Sequence, residues 1–235
     1  MATTIPSGTG NLILGNNLDD FITATRSNDT VYGYAGNDIV FGDEGNNYLD
    51  GGLGNDQLFS GAGNDTLTGG VGSDTLEDSG GANFLAGGAG NDFLTINSGN
   101  GPNILSGNDG NDTVLDFVGN STITGGLGND TLLSFGTSVY AYNSPSEGGD
   151  DIQFFASGTT KISISRSGFG LGSSPLGTLP SGLFTTSSSY TSAQKFFFDT
   201  VANNLFFDTD GSAGLSATLI AHISSPITAS DIILV

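Results

Sequence analysis

Aspartates recur along the chain at regular intervals, and their carboxylates are the side chains best suited to bind a ligand. The chain of 235 residues holds 24 acidic residues, of which only Glu44, Glu77 and Glu147 are glutamate, so 21 are aspartate. A solvated acidic surface normally uses both types. The preference for the shorter carboxylate indicates oxygens held close to the backbone, as in turns and metal-binding loops.

These aspartates belong to a nine-residue repeat, G-G-x-G-x-D-x-U-x, in which U is aliphatic. Clear copies begin at Gly33, Gly51, Gly69 and Gly125. Nonapeptides start at positions 15, 24, 33, 42, 51, 60, 69, 78, 87, 98, 107, 116, 125 and, in a degenerate form, 145. The eighth position is aliphatic in every copy, and its members are Ile22, Val31, Val40, Leu49, Leu58, Leu67, Leu76, Leu85, Leu94, Leu105, Val114, Ile123, Leu132 and Ile152.

This period predicts the elements that position the aspartates. A short strand over positions 7–9 directs one side chain inward and its two neighbours outward, so the eighth residue forms the core. A single repeat cannot bury this face, and the repeats must therefore stack. Glycines at positions 1, 2 and 4 permit backbone angles that other residues avoid and let carbonyl groups converge. The pattern predicts an all-β solenoid.

The repeat resembles that of the RTX (repeats-in-toxin, hemolysin-type) calcium-binding proteins. The resemblance implies a right-handed parallel β-roll with two repeats, or 18 residues, in each coil. It also implies calcium bound between successive coils on the same edge, with the sixth-position aspartate bridging adjacent ions and carbonyls of positions 1–4 completing the shell. Calcium suits these ligands because it is a hard cation that takes roughly six to eight oxygens.

Alternate repeats place their sixth positions on opposite edges of the roll. The aspartate edge, with spacings of 18 or 20 residues, consists of Asp20, Asp38, Asp56, Asp74, Asp92, Asp112, Asp130 and Asp150. The asparagine edge consists of Asp29, Asn47, Asp65, Asn83, Asn103 and Ser121. Because a bridging site needs a carboxylate from each adjacent coil, we expect roughly seven ions in the seven gaps of the aspartate edge. The asparagine edge should be nearly metal-free, with Asp29 and Asp65 as weaker candidates and its asparagines satisfying turn groups instead.

The 20-residue spacings predict two insertions, one near Ile96-Asn97 and one within Ser134–Ser144. The expected carbonyl ligands share positions 1–4 of the repeats on the aspartate edge. They belong to Gly33, Ala35, Gly36, Gly51, Gly52, Leu53, Gly54, Gly69, Gly70, Val71, Gly72, Gly87, Gly88, Ala89, Gly90, Gly107, Asp109, Gly110, Gly125, Gly126, Leu127 and Gly128.

Calcium is expected to couple to folding. Carboxylates in adjacent coils, roughly 5 Å apart, repel by about 0.8 kcal/mol per pair even in water. Seven such pairs cost about 6 kcal/mol, which is comparable with the stability of a whole domain. We therefore expect residues 15–153 to be largely unfolded in EDTA.

The charge distribution divides the chain. Residues 1–153 hold 20 acids and one base, Arg26, whereas residues 154–235 hold four acids and three bases. We predict a lead-in strand at 1–14, the roll at 15–153 and a β-rich cap at 154–235. Strands are expected at 161–165, 218–223 and 231–235, with a hairpin over 195–208. The tail, about residues 180–235, resembles the β tail that follows RTX arrays in cyanobacterial-type secreted proteins, with Phe-Asp-x-Asp-Gly, then Ile-Ala, then an acid before an apolar terminus.

That resemblance implies export by type I secretion, whose uncleaved signal often ends in an acid followed by apolar residues, as Asp231 to Val235 do. The alternative is an ordinary last strand. Residues 1–6 carry no basic region and no apolar core, so we expect no N-terminal secretory signal, and no apolar run in the sequence approaches membrane-spanning length. The net charge of −20 argues against nucleic acid and anionic lipid as partners. The chain has no cysteine, and we find no enzyme signature, so we expect no catalysis.

Three functions remain open at this stage. The first is an extracellular structural protein of a surface layer, sheath or matrix, a homo-oligomer or filament whose outward aromatics, Phe41, Phe59, Tyr32, Tyr48, Phe84 and Phe93, form self-association patches. The second is an adhesion or carbohydrate-binding module for a cell-surface polysaccharide, which would need a basic stripe where only Arg26 is available. The third is ice binding, for which the threonines at position 7 recur too irregularly.

Overall fold

The computed structural model of the chain describes residues 2–4 (backbone only), 10–186, 195–208 and 217–235. Strands account for nearly all of its regular structure. In chain order they are β1 (Ala2–Thr4), β2 (Leu12–Asn16), β3 (Phe21–Thr23), β4 (Thr30–Ala35), β5 (Ile39–Asp43), β6 (Tyr48–Leu53), β7 (Gln57–Ser60), β8 (Thr66–Val71), β9 (Thr75–Asp78), β10 (Phe84–Ala89), β11 (Phe93–Ile96), β12 (Ile104–Asp109), β13 (Thr113–Asp116), β14 (Thr122–Leu127), β15 (Thr131–Ser134), β16 (Val139–Tyr142), β17 (Asp150–Gln153), β18 (Lys161–Ile164), β19 (Gly177–Thr178), β20 (Phe184–Thr185), β21 (Phe196–Asp199), β22 (Asn204–Phe207), β23 (Thr218–Ile223) and β24 (Ile232–Leu234).

Three short 3-10 turns complete the described elements, at Pro145–Glu147, Ser181–Leu183 and Ala229–Asp231. Among the described residues, no helix has the length and hydropathy that a membrane crossing requires.

Two sheets face each other across a narrow core. One has 13 strands, in the order β1-β3-β5-β7-β9-β11-β13-β15-β17-β23-β22-β21-β20. The other has 11 strands, in the order β19-β24-β18-β16-β14-β12-β10-β8-β6-β4-β2. Odd-numbered strands of the repeats thus pair with odd and even with even, and all of these pairings are parallel. This is the connectivity of a two-sided parallel solenoid and confirms the predicted all-β roll.

The eighth-position aliphatic residues form the core, as the period predicts. All of them, from Ile22 to Ile152, are at most 1% exposed. They lie opposite one another in neighbouring strands, as in Leu49 against Leu67 and Leu67 against Leu85. Each coil therefore covers the apolar face of the next, which an isolated repeat could not do.

The register locates the two predicted insertions. Leu94 pairs with Val114 across 20 residues, while Leu76 pairs with Leu94 across 18, so the first insertion lies in the turn between β11 and β12. The second differs in detail from the expectation. The usual offset between core residues of consecutive strands is nine positions. Tyr140, the core residue after Leu132, follows it by only eight positions, and Ile152 follows Tyr140 by twelve. The extra residues follow β16, in the segment 143–149 that contains the 3-10 turn.

The terminal segments extend the roll. Residues 1–14, predicted as one lead-in strand, contain β1 and the start of β2, which pair with β3 and β4 respectively. Beyond residue 153, β18 and β24 continue the 11-stranded sheet in parallel, and β23 continues the 13-stranded sheet beside β17. The predicted hairpin is present as the antiparallel pair of β21 and β22. Asp210 and Gly211 of the tail motif lie outside the described residues.

Candidate metal-binding edge

Each aspartate of the aspartate edge sits in the turn that leads from the 11-stranded to the 13-stranded sheet. Its backbone N–H donates to the Oδ1 atom of the aspartate in the next coil, from Asp20 through to Asp150, over 2.7–3.0 Å. One carboxylate oxygen of each residue from Asp38 to Asp150 is thereby fixed by the backbone. The ladder holds successive carboxylates at the coil spacing, roughly 4.8 Å apart.

The second carboxylate oxygen distinguishes the interior of this ladder from ordinary hydrogen-bonded turns. Six Oδ2 atoms are buried and have no hydrogen-bond partner among the described residues, namely those of Asp38, Asp56, Asp74, Asp92, Asp112 and Asp130. A buried carboxylate oxygen without a partner is costly, because its desolvation is not compensated. A positive ion is the group that would compensate it.

The glycine at position 1 brings a carbonyl to the same place. A Cβ atom placed on Gly51 would lie 2.7 Å from the carbonyl oxygen of Gly69 and closer still to Oδ2 of Asp56. The same crowding recurs at Gly15, Gly33, Gly69 and Gly107. Two kinds of oxygen therefore converge where no side chain can enter. Asp Oδ2 atoms and glycine carbonyls would hold calcium, which supplies the missing positive charge.

Glycine at position 4 is required by the close stacking of the coils. Gly54 has a φ of 128°, and a Cβ there would overlap the carbonyl oxygen of Gly36 in the preceding coil. Its N–H donates to the carbonyl of Val71 at 2.8 Å. The predicted position-3 ligands, such as Val71, thus already accept one hydrogen bond, and only their second lone pair remains for an ion.

The electrostatics of the ladder favour a cation beside the carboxylates. Burial, with repulsion from the neighbouring aspartates as a further cause, raises the pKa of Asp56 to about 6 and the pKa values of Asp74 and Asp112 to about 7. The pKa values of Asp38, Asp92 and Asp130 are also raised, chiefly by burial. Within the described part of the chain, no three His, Cys, Asp or Glu side chains form a group that could hold a metal ion, so a calcium site on this edge would combine two carboxylates with carbonyls.

The asparagine edge has the same ladder of backbone N–H groups that donate to sixth-position oxygens, but different groups lie beside those oxygens. The N–H groups of Asp29 and Asp65 donate to Oδ1 of Asn47 and Asn83 at 2.9 and 2.7 Å. The Nδ2 group of Asn47 then donates to the carbonyls of Gly42 and Gly45 at 3.1 and 3.2 Å. For Asn47 the amide N–H₂ thus meets the carbonyls of positions 1 and 4, as expected from the sequence, and takes the place that a cation would take on the aspartate edge. The other two asparagines differ, because Nδ2 of Asn83 donates to the Asp78 carboxylate and to the carbonyl of Gly80, and Nδ2 of Asn103 is buried without a hydrogen-bond partner among the described residues.

Asp29 and Asp65, the two weaker candidates for metal binding, differ from each other. Both oxygens of Asp29 accept hydrogen bonds, from Asn11 and Ser27 to Oδ1 and from the N–H and hydroxyl of Thr25 to Oδ2 at 2.7 Å. Despite burial, these hydrogen bonds lower the pKa of Asp29, so its charge is satisfied without metal. Asp65 has a buried Oδ2 atom without a hydrogen-bond partner among the described residues, and its ladder neighbours are asparagines. The carboxylate of Asp78 interacts with it, and the charge of Asp65 is a further cause, after burial, of the raised pKa of Asp78.

The sequence reasoning missed a set of side chains that fill position 1 on the asparagine edge. Ser60, Asp78, Asp116 and Ser134 are buried there. The carboxylate of Asp78 accepts hydrogen bonds from Ser60, Asn83 and Gly80, and that of Asp116 accepts from Ser134, Ser138, Val118 and Gly119. Burial raises the pKa of Asp78 to about 7. The signal was available, since position 1 is glycine from Gly15 to Gly125 on the aspartate edge and frequently is not glycine on the asparagine edge.

A second missed feature is an exposed ladder at position 5. The N–H groups of Asn37, Asn55, Ser73 and Asn129 each donate to the position-5 side chain of the preceding coil at 2.7–2.9 Å. The recurrence of Asn at position 5 was visible in the sequence. This ladder supports the turns without contributing a buried charge.

A parallel roll with an edge of paired carboxylates and glycine carbonyls belongs to the class of β-solenoids built around hard cations. The model of the RTX calcium-binding nonapeptide repeat matches residues 14–49, 41–76, 59–94, 68–101, 95–115 and 106–134, which together span 121 of the 235 residues. The chain belongs to this RTX family, and its repeats form a calcium-binding β-roll.

No curated protein matches the chain. Among solved structures, the crystal structure of the extracellular lipase LipA from Serratia marcescens is similar over 98% of this chain, at 18% identity and a TM-score of 0.40. The match covers 41% of the lipase, so this chain spans less than half of its length.

Proposed function

We propose that this chain is an extracellular structural protein, a roll that folds when it meets calcium after export and then assembles with further copies in a surface layer, sheath or matrix. The observation that carries the proposal is the row of six buried Oδ2 atoms without hydrogen-bond partners, from Asp38 to Asp130. The proposed function is non-catalytic, because Oδ1 of each of these aspartates accepts a backbone N–H and Oδ2 would bind calcium.

Calcium makes folding conditional on location. Where free calcium is scarce, the repulsion along the ladder keeps the chain loose enough to be threaded through a secretion channel. Outside the cell, calcium binding and folding are one equilibrium, because no preformed site exists in the unfolded chain. This argument supports export in an unfolded state, as expected of a type I substrate.

The proposed export signal becomes part of the folded roll. The carboxylate of Asp231 is buried and accepts hydrogen bonds from Ser157, Gly158 and Thr228 at 2.7–3.0 Å, with Nζ of Lys161 at 3.7 Å. Residues 232–234 then pair with β18. One segment would thus act as an export signal while unfolded and as a sheet strand after folding.

Exposed aromatic ridges support assembly with further copies. Phe41 stacks on Phe59 with ring centroids 5.0 Å apart, and Phe117, Phe135 and Phe154 continue as a second stack with spacings of 5.6 and 5.0 Å. Three of these rings, those of Phe117, Phe135 and Phe154, are 49–60% exposed. The rings face one another and turn their edges to solvent, which suits packing against an apolar surface better than stacking on sugar rings.

Charge would make this assembly depend on calcium. The metal-free chain carries −20 and repels its copies. About five to seven calcium ions would cancel about half or more of that charge. The polysaccharide alternative is less well supported, because Nε of Arg26 already lies 3.9 Å from the carboxylates of Asp43 and Glu44.

The proposal is tested in two stages. A calcium titration followed by circular dichroism and calorimetry should show a coil-to-β transition, lost in Asp74→Ala. In Asn83→Ala the ion count should persist, although the fold should weaken, since Asn83 donates to Asp78 and Gly80. Light scattering at millimolar calcium should then show assembly, reduced by Phe135→Ser. Monodisperse monomer at high protein concentration would refute the assembly, and a chain already folded in EDTA would refute calcium-driven folding.

A further inference from the structure

The two ends of the aspartate ladder differ from its interior. Oδ2 of Asp20 accepts hydrogen bonds from the backbone N–H and the side-chain amide of Asn16, at 2.8 and 2.6 Å. Oδ2 of Asp150 accepts a hydrogen bond from the hydroxyl of Tyr142 at 2.8 Å. In the six aspartates between them, the same oxygen has no hydrogen-bond partner among the described residues. A protein donor therefore binds the Oδ2 atom at each end of the ladder, whereas no donor among the described residues binds the Oδ2 atoms of the interior.

We propose that Asn16 and Tyr142 close the two ends of the calcium row, so that ions bind only in the gaps between Asp38 and Asp130. Eight aspartates enclose seven gaps, and removing the first and the last leaves five. This inference rests on the proposed calcium-dependent function. It changes the expected number of ions on this edge from about seven to about five.

The register explains how Tyr142 reaches Asp150. Ile123 pairs with Tyr140, so Gly125, two residues on, has Tyr142 as its counterpart in the next coil. Position 1 is glycine in every preceding coil of this edge, where a Cβ would meet the aspartate Oδ2. At the last coil a tyrosine stands in this place, and its hydroxyl satisfies the carboxylate directly.

The surroundings hold this contact in place. Tyr142 is 2% exposed and Asp150 is fully buried, so the hydroxyl cannot turn to water while the coil stays intact. An ion bridging Asp130 and Asp150 would have to displace the hydroxyl and leave it buried without a partner. In the following coil the counterpart of Tyr142 is Ile164, which is fully buried and apolar. The series of polar groups along the aspartate edge therefore ends at Tyr142.

On the asparagine edge, too, the residue at position 1 decides what lies beside the sixth-position oxygen. There, side chains at position 1, such as Asp78 and Asp116, fill the place with hydrogen-bonded protein atoms. A glycine at position 1 thus leaves room for an ion, and a polar side chain at position 1 takes up that room. On the aspartate edge, Tyr142 is the one described side chain that fills position 1 in this way, and it thereby sets the length of the row of calcium ions.

The test counts bound calcium in the full chain, by calorimetry and by metal analysis after equilibrium dialysis, for the wild type, Asp150→Asn and the matched interior variant Asp92→Asn. We expect Asp92→Asn to lose at least one ion and Asp150→Asn to lose none. Loss of an ion in Asp150→Asn as well would overturn the inference and leave calcium binding intact. A wild type that binds no calcium would refute the proposed function, and the inference with it.

A second variant keeps the inference testable if Asp150→Asn does not fold. Tyr142→Phe removes the hydroxyl and frees Oδ2 of Asp150, whereas Tyr140→Phe removes a neighbouring buried hydroxyl that does not contact the ladder. The inference expects Tyr142→Phe to bind at least as many ions as the wild type and Tyr140→Phe to match it. Fewer ions in Tyr142→Phe than in Tyr140→Phe would mean that the hydroxyl is itself a ligand, and the inference would be wrong.

Discussion

Replacing one interior aspartate by asparagine should stabilise the roll without calcium and destabilise it with calcium. Asp74 is the clearest position, because it lies between Asp56 and Asp92, is 2% exposed and has a buried Oδ2 atom without a hydrogen bond. In Asp74→Asn, Oδ1 would still accept from the N–H of Asp56. The new Nδ2 group would face the carbonyls of Gly69 and Gly72, the counterparts of the carbonyls that Asn47 contacts.

The magnitude follows from the ladder geometry. At the coil spacing of roughly 4.8 Å, each neighbour repels Asp74 by about 0.9 kcal/mol in water and by more in the buried edge. Removing two such repulsions and adding one or two amide hydrogen bonds, each worth about 1 kcal/mol, stabilises the metal-free roll by about 3 kcal/mol. With calcium, the substitution removes a bridging carboxylate from two neighbouring gaps, and the sign of the effect reverses.

The assay is folding by trimethylamine N-oxide in EDTA at pH 8, followed by circular dichroism, because the osmolyte measures stability where the chain is largely unfolded. Asp74→Asn should fold at a lower osmolyte concentration than the wild type. In millimolar calcium its melting temperature should be lower. A variant less stable than the wild type under both conditions would refute the idea that an amide can replace the ion.

Other predictions concern the remaining groups. Asn47→Asp should destabilise the metal-free roll by about 3 kcal/mol and add a calcium site flanked by Asp29 and Asp65, detectable by calorimetry. Because burial raises the folded-state pKa values of Asp56 and Asp74 to about 6 and about 7, the metal-free fold is favoured at low pH and loses this contribution as the pH rises through that range. Acidification in EDTA from pH 8 to about 4 should therefore increase β structure, and calcium binding should weaken; no gain of circular dichroism signal would contradict this. Asp231→Ala should lower the stability of the calcium-loaded chain by about 3 kcal/mol in urea unfolding, since several donors lose their acceptor.

The period of nine made the core and both edges predictable. The eighth position specifies burial in each copy, and alternation of repeats assigns every sixth position to an edge, so Asp38 and Asn47 could be separated without coordinates. The side chains at position 1 were harder. Asp78 and Ser60 meet because they lie 18 residues apart and side by side in the sheet, and only the pairing register of the two coils brings them together.

The C-terminal region was predicted only locally. Its strands and hairpin follow from alternating apolar residues, but their placement does not. Ile152 pairs with Ile223 across 71 residues, and Ile162 with Ile232 across 70. No local pattern encodes such distant pairing, because the intervening loops can close at similar entropic cost in several arrangements. The contact between Tyr142 and Asp150 was missed for a related reason, since the coil between them departs from the period of nine.

The comparison of the two edges explains what the metal does for this fold. Both edges use the same ladder, in which a sixth-position oxygen accepts the backbone N–H of the preceding coil. They differ in what lies beside that oxygen. On the asparagine edge it is an amide or a position-1 side chain, and on the aspartate edge it is the space left by the glycine at position 1. A neutral amide such as that of Asn47 satisfies this space without metal, whereas an ion does so only where calcium is present. If only the aspartate edge depends on an ion, as we propose, the roll would fold completely on calcium while half of its turns need none.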